Sequence, residues 1–443
     1  MKNTKFINGF SKMSKHQQLR AIWKEQELKD NKELLSRFEV NDPGIQKRFE
    51  SFSENTISNF HLPFGIAPNF LIDQTLYHIP MAIEESSVVA AASRSARFWY
   101  DKGGFQTEFI KTLKTGQIHF SFTGNAQLLY KHLEAIKYHL HASAKPLLSN
   151  MEQRGGGIQS TELFRLRDIH HSPHKMQNDY QLMVTFETVD SMGANLINSC
   201  LEAMGRALMQ FISTHDELNS YKHELIMAIL SNYTPQSIIR MKLEAPTDTL
   251  NGIAEGMSGK AFAEKFQKAV YIAQHDIFRA TTHNKGIMNG VDAVVIATAN
   301  DFRAVEAAAH AYASRKGQYS SLSNCSVSDN IFSYELEIPL SIGTVGGLTG
   351  LHPLAKLSLQ LLGNPGAREL MKVIAAAGLA NNFGALRALI TEGIQQGHMK
   401  MHLDNILLQY QANAEEREKA KAWFRNKTIT HANVKTFLDE LRN

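Results

Sequence analysis

Hydrophobic and polar positions divide the chain into stretches of different period. Residues 1–50 are polar, with Leu19, Ile22, Trp23 and Leu28 near helical spacing among charges. Residues 51–80 lose that period and are punctuated by Pro63, Pro68 and Pro80, so irregular or extended backbone is expected there. An alanine-rich helix is predicted to start at Ser86 or Ser87, directly after Glu84 and Glu85. Residues 116–124 (GQIHFSFTG) alternate like a strand, and 125–151 read as helical. After a Gly155-Gly156-Gly157 loop, 161–170 and 180–190 read as strands, 194–214 as a helix and 222–233 as a strand. That order, β-α-β-β-α-β, is the ferredoxin-like plan. Further on, Ile287, Val291, Val294 and Val295 favour a helix, and FRAVEAAAHAYASRKG (302–317) predicts another, stopped by Gly317. Residues 331–340 read as a strand, followed by the glycine-rich loop GTVGGLTGLHP. Small residues fill 366–396, as in closely packed helices, and from about 393 the tail turns polar and helical. The fold class expected is α+β. A large mixed α/β domain in two parts, 1–112 and 222–392, carries a ferredoxin-like domain inserted at 113–221, and a helical C-terminal piece spans 393–443.

Composition narrows the function classes more than the fold. The 443 residues are 43% apolar and 20% charged, as in ordinary globular proteins of about two to three domains. No window approaches the roughly 20 apolar residues that span a bilayer, and the N-terminus lacks a signal-like apolar core. A cytoplasmic enzyme with no membrane partner is expected. The net charge of +4, without a Lys/Arg block, suits a small anionic ligand and gives no reason for nucleic acid. Cys200 and Cys325 stand far apart in no metal-ligand spacing, which points to a reducing compartment.

The candidate chemistry centres on residues 280–301, ATTHNKGIMNGVDAVVIATAND. Lys285 lies between amide and small residues, with no other charge until Asp292. A partly desolvated lysine there can stabilise a developing oxyanion; the plainer reading is a solvated lysine. Asp301 is placed to cap the following helix. Glu84 and Glu85 suit a helix start, and one of them is free for acid–base work. Asp190-Ser191-Met192-Gly193-Ala194-Asn195 joins a strand to a helix, where backbone N–H groups can hold a phosphate; an ordinary capped turn is the alternative. No GxGxxG, P-loop, GxSxG or HExxH pattern is present. His398 and His402 lack a carboxylate partner for a metal, and His170, His171 and His174 read as a surface loop. No metal site is expected. A lysine, one or two glutamates, an aspartate and a histidine beside small residues suit proton transfer around a carbonyl.

Four segments carry a resemblance: MAIEESSVVAAAS (81–93), DSMGAN (190–195), FRATTHNKGIMNGVDAVVIATANDFRAVEAAAHAYASR (278–315) and GLANNFGALRALITEGIQQGHM (378–399). In this order they resemble class II, bacterial-type, 3-hydroxy-3-methylglutaryl-CoA (HMG-CoA) reductase. The resemblance implies reduction of HMG-CoA to mevalonate and CoA with two NAD(P)H in isoprenoid synthesis. It also implies a homodimer or an assembly of dimers and a mobile C-terminal flap. By motif it makes Glu85 the acid/base and Lys285 the cation that polarises the thioester and aldehyde oxygens. Asp301 becomes the lysine's hydrogen-bonding partner, and His398 the proton donor to the CoA thiolate. Arg279 and Ser87 match positions that hold the HMG carboxylate, with Asn289 beside them. Asp190, Met192, Gly193, Ala194 and Asn195 fall in the pyrophosphate loop.

Departures qualify the match. The family's ENxIG appears as Glu54-Asn55-Thr56-Ile57-Ser58, and an arginine used for CoA phosphate in some members falls at Ser11-Lys12. NADH-preferring members carry an acid before the triple glycine. Here Lys145, Pro146 and Arg154 occupy that region, which favours NADPH over NADH. Two other readings use the same residues: degradative oxidation of mevalonate with NAD and CoA, and a silent CoA-ligand-binding protein.

Overall fold

The computed structural model describes residues 6–442 except 24, 170–175, 392, 394–402, 425, 426 and 428. Three short helices open it, α1 (Lys15–Ile22), α2 (Glu25–Ser36) and α3 (Pro43–Glu50). The ENxIG counterpart is tied to α1, because Gln18 Nε2 donates to Asn55 Oδ1 at 2.9 Å. A hairpin follows, β1 (Phe64–Ile72) with β2 (Thr75–Ala82). Pro68, expected to break structure, sits inside β1 at the irregularity between Ala67 and Phe70, where the ladder already lacks regular bonds. The alanine-rich helix is α4 (Val88–Tyr100), with Ser87 at its N-cap.

One strand then organises two sheets. β3 (Gln106–Phe122) pairs over Gln106–Thr112 with β7 (Ser237–Pro246), and over Leu113–Ser121 with β5 (Asp179–Glu187). Between β3 and β7 run α5 (Ala126–Lys131), α6 (Leu133–Glu152), β4 (Gly157–Arg165), α7 (Leu166–Ile169), β5, α8 (Ala194–Thr214) and β6 (His223–Leu230). The strands lie in the order β4-β5-β3-β6. Ile118 and Phe120 of β3, Val184 and Phe186 of β5 and Leu201 and Met204 of α8 share one apolar core. β6 belongs to this sheet, with Leu225 and Ala228 packed on the same core. The unit therefore extends beyond the limit of 221 set from sequence, because the free edge of β3 takes β6 as its partner.

The other half of β3 continues through β7 to β9 (Ile331–Pro339) and β8 (Ser323–Ser328). Against this sheet stand α9 (Gly259–His275), α10 (Ile277–Ala297), α11 (Phe302–Ala313), α12 (Pro353–Leu361) and α13 (Ala367–Ile390). α13 is long and apolar enough to cross a membrane, but 72% of its most apolar window is buried, as in a core helix. It crosses α10 at Gly290, where a Cβ would lie 2.3 Å from Ala377 O. Only glycine lets the two backbones approach so closely. A third, separate apolar cluster, including Leu407, Val434 and Leu438, joins the C-terminal helices Ala414–Trp423 and His431–Arg442.

Asp292 of α10 faces Glu306 of α11. Burial, then the neighbouring acid, raises its carboxyl well above the usual range. The native state thus binds a proton that the unfolded chain releases. This contribution to stability is full below the unfolded carboxylate range and is lost as pH rises through the raised native value. Asp292→Asn is expected to raise the melting temperature more at pH 8 than at pH 4, which calorimetry at both values checks.

Candidate active site

Lys285 was expected in a partly desolvated pocket. It stands instead on the outer face of α10, with its side chain 59% exposed. Its Nζ donates to Glu85 Oε2 at 2.7 Å, joining residues 200 positions apart. Glu85 precedes α4, and its side chain is 40% exposed. An exposed pair of this kind stabilises a fold by less than about 1 kcal/mol, so stability does not account for it. The pair opens on a cleft between α4, α10 and α13, lined by Glu85, Ser87, Arg94, Asn289 and Asn381 over a floor of Gly286, Gly384 and alanines. Lys285 and Asn289 share one face of α10, four residues apart. Ser87 is held at φ +80°, an unusual conformation for a residue with a Cβ.

Two expected members are not delivered to this cleft. Arg279 lies about 9 Å along α10 from Lys285 and about 120° around it. Its half-buried guanidinium faces Tyr334 and Asp276, and desolvation lowers its pKa. Asp301 caps α11, accepting from Arg303 N and Ala304 N at 3.1 and 3.2 Å, and also pairs with the Arg303 side chain. Roughly 18 Å of helix axis separates Lys285 from Ala297 at the end of α10, and Asp301 lies beyond that end. The expected Lys285–Asp301 hydrogen bond is therefore absent within one chain, where lysine pairs with Glu85. His398 and His402, and the cluster of His170, His171 and His174, lie outside the described residues.

Beneath α10 a polar network fixes the helix. His283 Nε2 meets Ser323 Oγ at 2.7 Å, Tyr334 bonds both Ser323 and Asn382, and Asn382 Nδ2 donates to His283 O at 2.7 Å. Burial drives the His283 pKa down to about 3, so the imidazole is neutral.

The strand-to-helix loop at 190–195 forms a second locus. Gly193 is the N-cap of the 21-residue α8 at φ +76° and supplies no side-chain cap. A Cβ there would lie 2.7 Å from Thr188 Cγ2. The first N–H groups of α8, from Ala194 and Asn195, thus have no capping side chain from Gly193, a donor set that fits a pyrophosphate. Asp190 is engaged on its other side: its Oδ1 accepts from Ala367 N at 2.7 Å and caps α13. The loop rests on Ile342–Val345, since Thr344 N donates to Asp190 O at 2.8 Å. On the same segment, Gly343 N donates to Asn300 Oδ1 at 2.8 Å, next to Asp301. Val189 and Ala299, just before Asp190 and Asn300, both have positive φ, +54° and +53°. Backbone outliers of this kind gather at functional sites.

A family model described as hydroxymethylglutaryl-coenzyme A reductase matches residues 15–403. The chain belongs to that family. It is 37% identical to 3-hydroxy-3-methylglutaryl-coenzyme A reductase of Archaeoglobus fulgidus, covering 99% of this chain and 95% of that protein. It is 33% identical to the probable reductase of Borreliella burgdorferi, covering 95% and 93%. The reductase structure from Streptococcus pneumoniae superposes with a TM-score of 0.71 at 33% identity, covering 98% of this chain and 99% of that one. A further structure of the class II reductase from that organism, bound to NADPH, gives a TM-score of 0.69 at 34% identity, covering 87% of this chain and 99% of that one. As an HMG-CoA reductase, the chain is a nicotinamide-dependent oxidoreductase that reduces HMG-CoA to mevalonate. Of the residues expected from sequence for this reaction, Glu85, Ser87 and Asn289 line one cleft, with Lys285 paired to Glu85 at its mouth. Arg94 and Asn381 were missed. Their signals were present: Ser87, Ala91 and Arg94 repeat on one helical face, and an Asn-Asn pair interrupts an apolar helix.

Proposed function

We propose that the working site of this HMG-CoA reductase is assembled between two copies of the chain. Each copy supplies Glu85 and Lys285 to one site, and Asp301 with the 190–195 loop to the other. The observation that carries this reading is the separation of the two loci. α13 is capped by Asp190 at Ala367 and reaches the Glu85 cleft at Ala385, roughly 27 Å further along. Asp301 stands at the loop's end of the molecule through Asn300 and Gly343. A second copy brings Asp301 to the Lys285–Glu85 pair and covers charges that are exposed in one chain.

A nicotinamide cofactor held by the first N–H groups of α8 would supply the hydride. Lys285 then faces the oxygen that gains charge, and its ammonium lowers the barrier. Glu85, within hydrogen-bonding distance of that ammonium, gives the proton to the aldehyde-level oxygen. Ser87 and Asn289 orient the HMG moiety in the cleft. The family motif assigns to His398 the protonation of the leaving thiolate. The reaction runs in the reductive direction in a reducing, cytoplasmic setting, which suits the buried free thiols of Cys200 and Cys325.

The cofactor is NADPH in this reading. Lys145 and Pro146 lie well inside α6, whereas Arg154 follows its end. Gly156, two residues on, packs against Glu187 O and Val189 beside the cofactor loop. The Arg154 guanidinium is exposed there and can meet a 2′-phosphate. HMG-CoA-dependent oxidation of NADPH, followed by the loss of nicotinamide absorbance, tests the function; no oxidation of either cofactor would falsify it. Arg154→Ala is expected to raise the KM for NADPH about tenfold, the loss of roughly 1.4 kcal/mol, and to leave that for NADH unchanged. Equal shifts for both cofactors would count against the assignment.

A further inference from the structure

Lys114 is the most buried lysine charge in the described structure, at 2% exposure. It lies on β3, one residue past Leu113, where the strand has begun to pair with β5. Its Nζ donates to Thr188 Oγ1 at 2.6 Å, Ser191 O at 2.6 Å and Ile342 O at 3.2 Å. The Thr188 hydroxyl in turn donates to Ser191 O at 2.6 Å. Three ammonium protons thus meet three acceptors, two from the 188–191 turn and one from the segment on which that turn rests. Burial pulls the ammonium pKa down to about 8, while Glu187 and Asp190 oppose that fall. Both acids are otherwise engaged: Glu187 accepts from Thr112 and from Val189 N, and Asp190 caps α13. No carboxylate hydrogen-bonds Lys114 among the described residues.

A desolvated charge bonded only to neutral oxygens is costly unless its position matters. This one draws the 188–191 turn into one shape, with Val189 held at φ +54° between the two bonded residues. It also satisfies the Ser191 carbonyl from beneath and places a positive charge behind the start of α8. Through Ile342 it reaches the segment whose Gly343 N holds Asn300 beside Asp301.

We propose that Lys114 is a positioning residue for the cofactor, fixing the 188–195 turn in its anion-binding shape and registering it against the segment next to Asp301. This rests on the assignment of the 190–195 loop to the nicotinamide cofactor. The test is binding of NADPH to the full-length protein, read by its fluorescence without HMG-CoA, alongside steady-state kinetics. Lys114→Met is expected to weaken NADPH binding about tenfold, as for loss of hydrogen bonds from a charged donor. The KM for NADPH should rise in parallel, while the KM for HMG-CoA stays at the wild-type value. Unchanged NADPH affinity overturns the proposal, and so does an equal rise in both KM values, since a merely structural lysine would affect both substrates. If Lys114→Met does not fold, Thr188→Val takes its place, removing one acceptor and leaving the lysine. It is expected to weaken NADPH binding about threefold, and unaltered affinity overturns the proposal. A wild-type protein that binds NADPH but does not reduce HMG-CoA would sink the functional reading alone. A wild-type protein that binds no NADPH would sink the loop assignment and this proposal together.

Discussion

Lys285→Met is expected to lower kcat for HMG-CoA reduction by about three orders of magnitude, the scale seen when a preorganised oxyanion donor is removed. Methionine keeps most of the length of the side chain and removes the ammonium, with its charge and its hydrogen-bond donors. Both reductive steps place negative charge on oxygen, and among the described residues Arg94 is the one other cation that lines the Glu85 cleft. Folding should be little affected, because the Lys285–Glu85 pair is exposed and contributes less than about 1 kcal/mol. A melting curve close to wild type, with kcat lost and the KM for HMG-CoA changed severalfold at most, is the pattern expected. A loss of kcat smaller than tenfold would remove Lys285 from the chemistry.

The second large effect is recovery. Lys285→Met and Asp301→Asn should each be almost inactive alone. Mixed by co-expression or joint refolding, they should regain about a quarter of wild-type activity if pairs form at random. Half of the pairs are then mixed, and each mixed pair has one intact site and one doubly altered site. Asparagine also caps helices well, so Asp301→Asn should preserve the start of α11. The expectation follows from α10, which holds Lys285 and the Asp301 turn apart in a single chain. Activity that stays at the level of the separate variants would show that the site is not shared.

Much of this was legible in the sequence. Alternation and helical spacing mark the four strands and two long helices around β3, because one-sided burial imposes period 2 or 3.6 on any such element. The positions of Glu85, Ser87 and the cap at Asp301 were legible for a related reason: helix starts depend on local hydrogen bonds. Motif resemblance supplied the chemistry that spacing could not. Other features were hidden. Pro68 within β1 was unreadable because its tolerance depends on a bulge formed with β2. Strand β6 itself was read at 222–233; only the domain limit of 221 fell short of it, because strand pairing is a long-range choice.

The chain by itself determined which residues carry charge and which helices present them. Only the tertiary structure decided which of those residues meet. Lys285 and Asp301, 16 positions apart and joined by family pattern, are separated by the rigid length of α10. Lys285 and Glu85, 200 positions apart, are joined because α4 packs beside α10. Lys114 shows the same division. As a residue it is one lysine in an alternating strand; its burial arises because two units share β3 and close over its ammonium. Local backbone physics fixes periods and caps, whereas partners across hundreds of residues are chosen by packing, and the site is built from those partners.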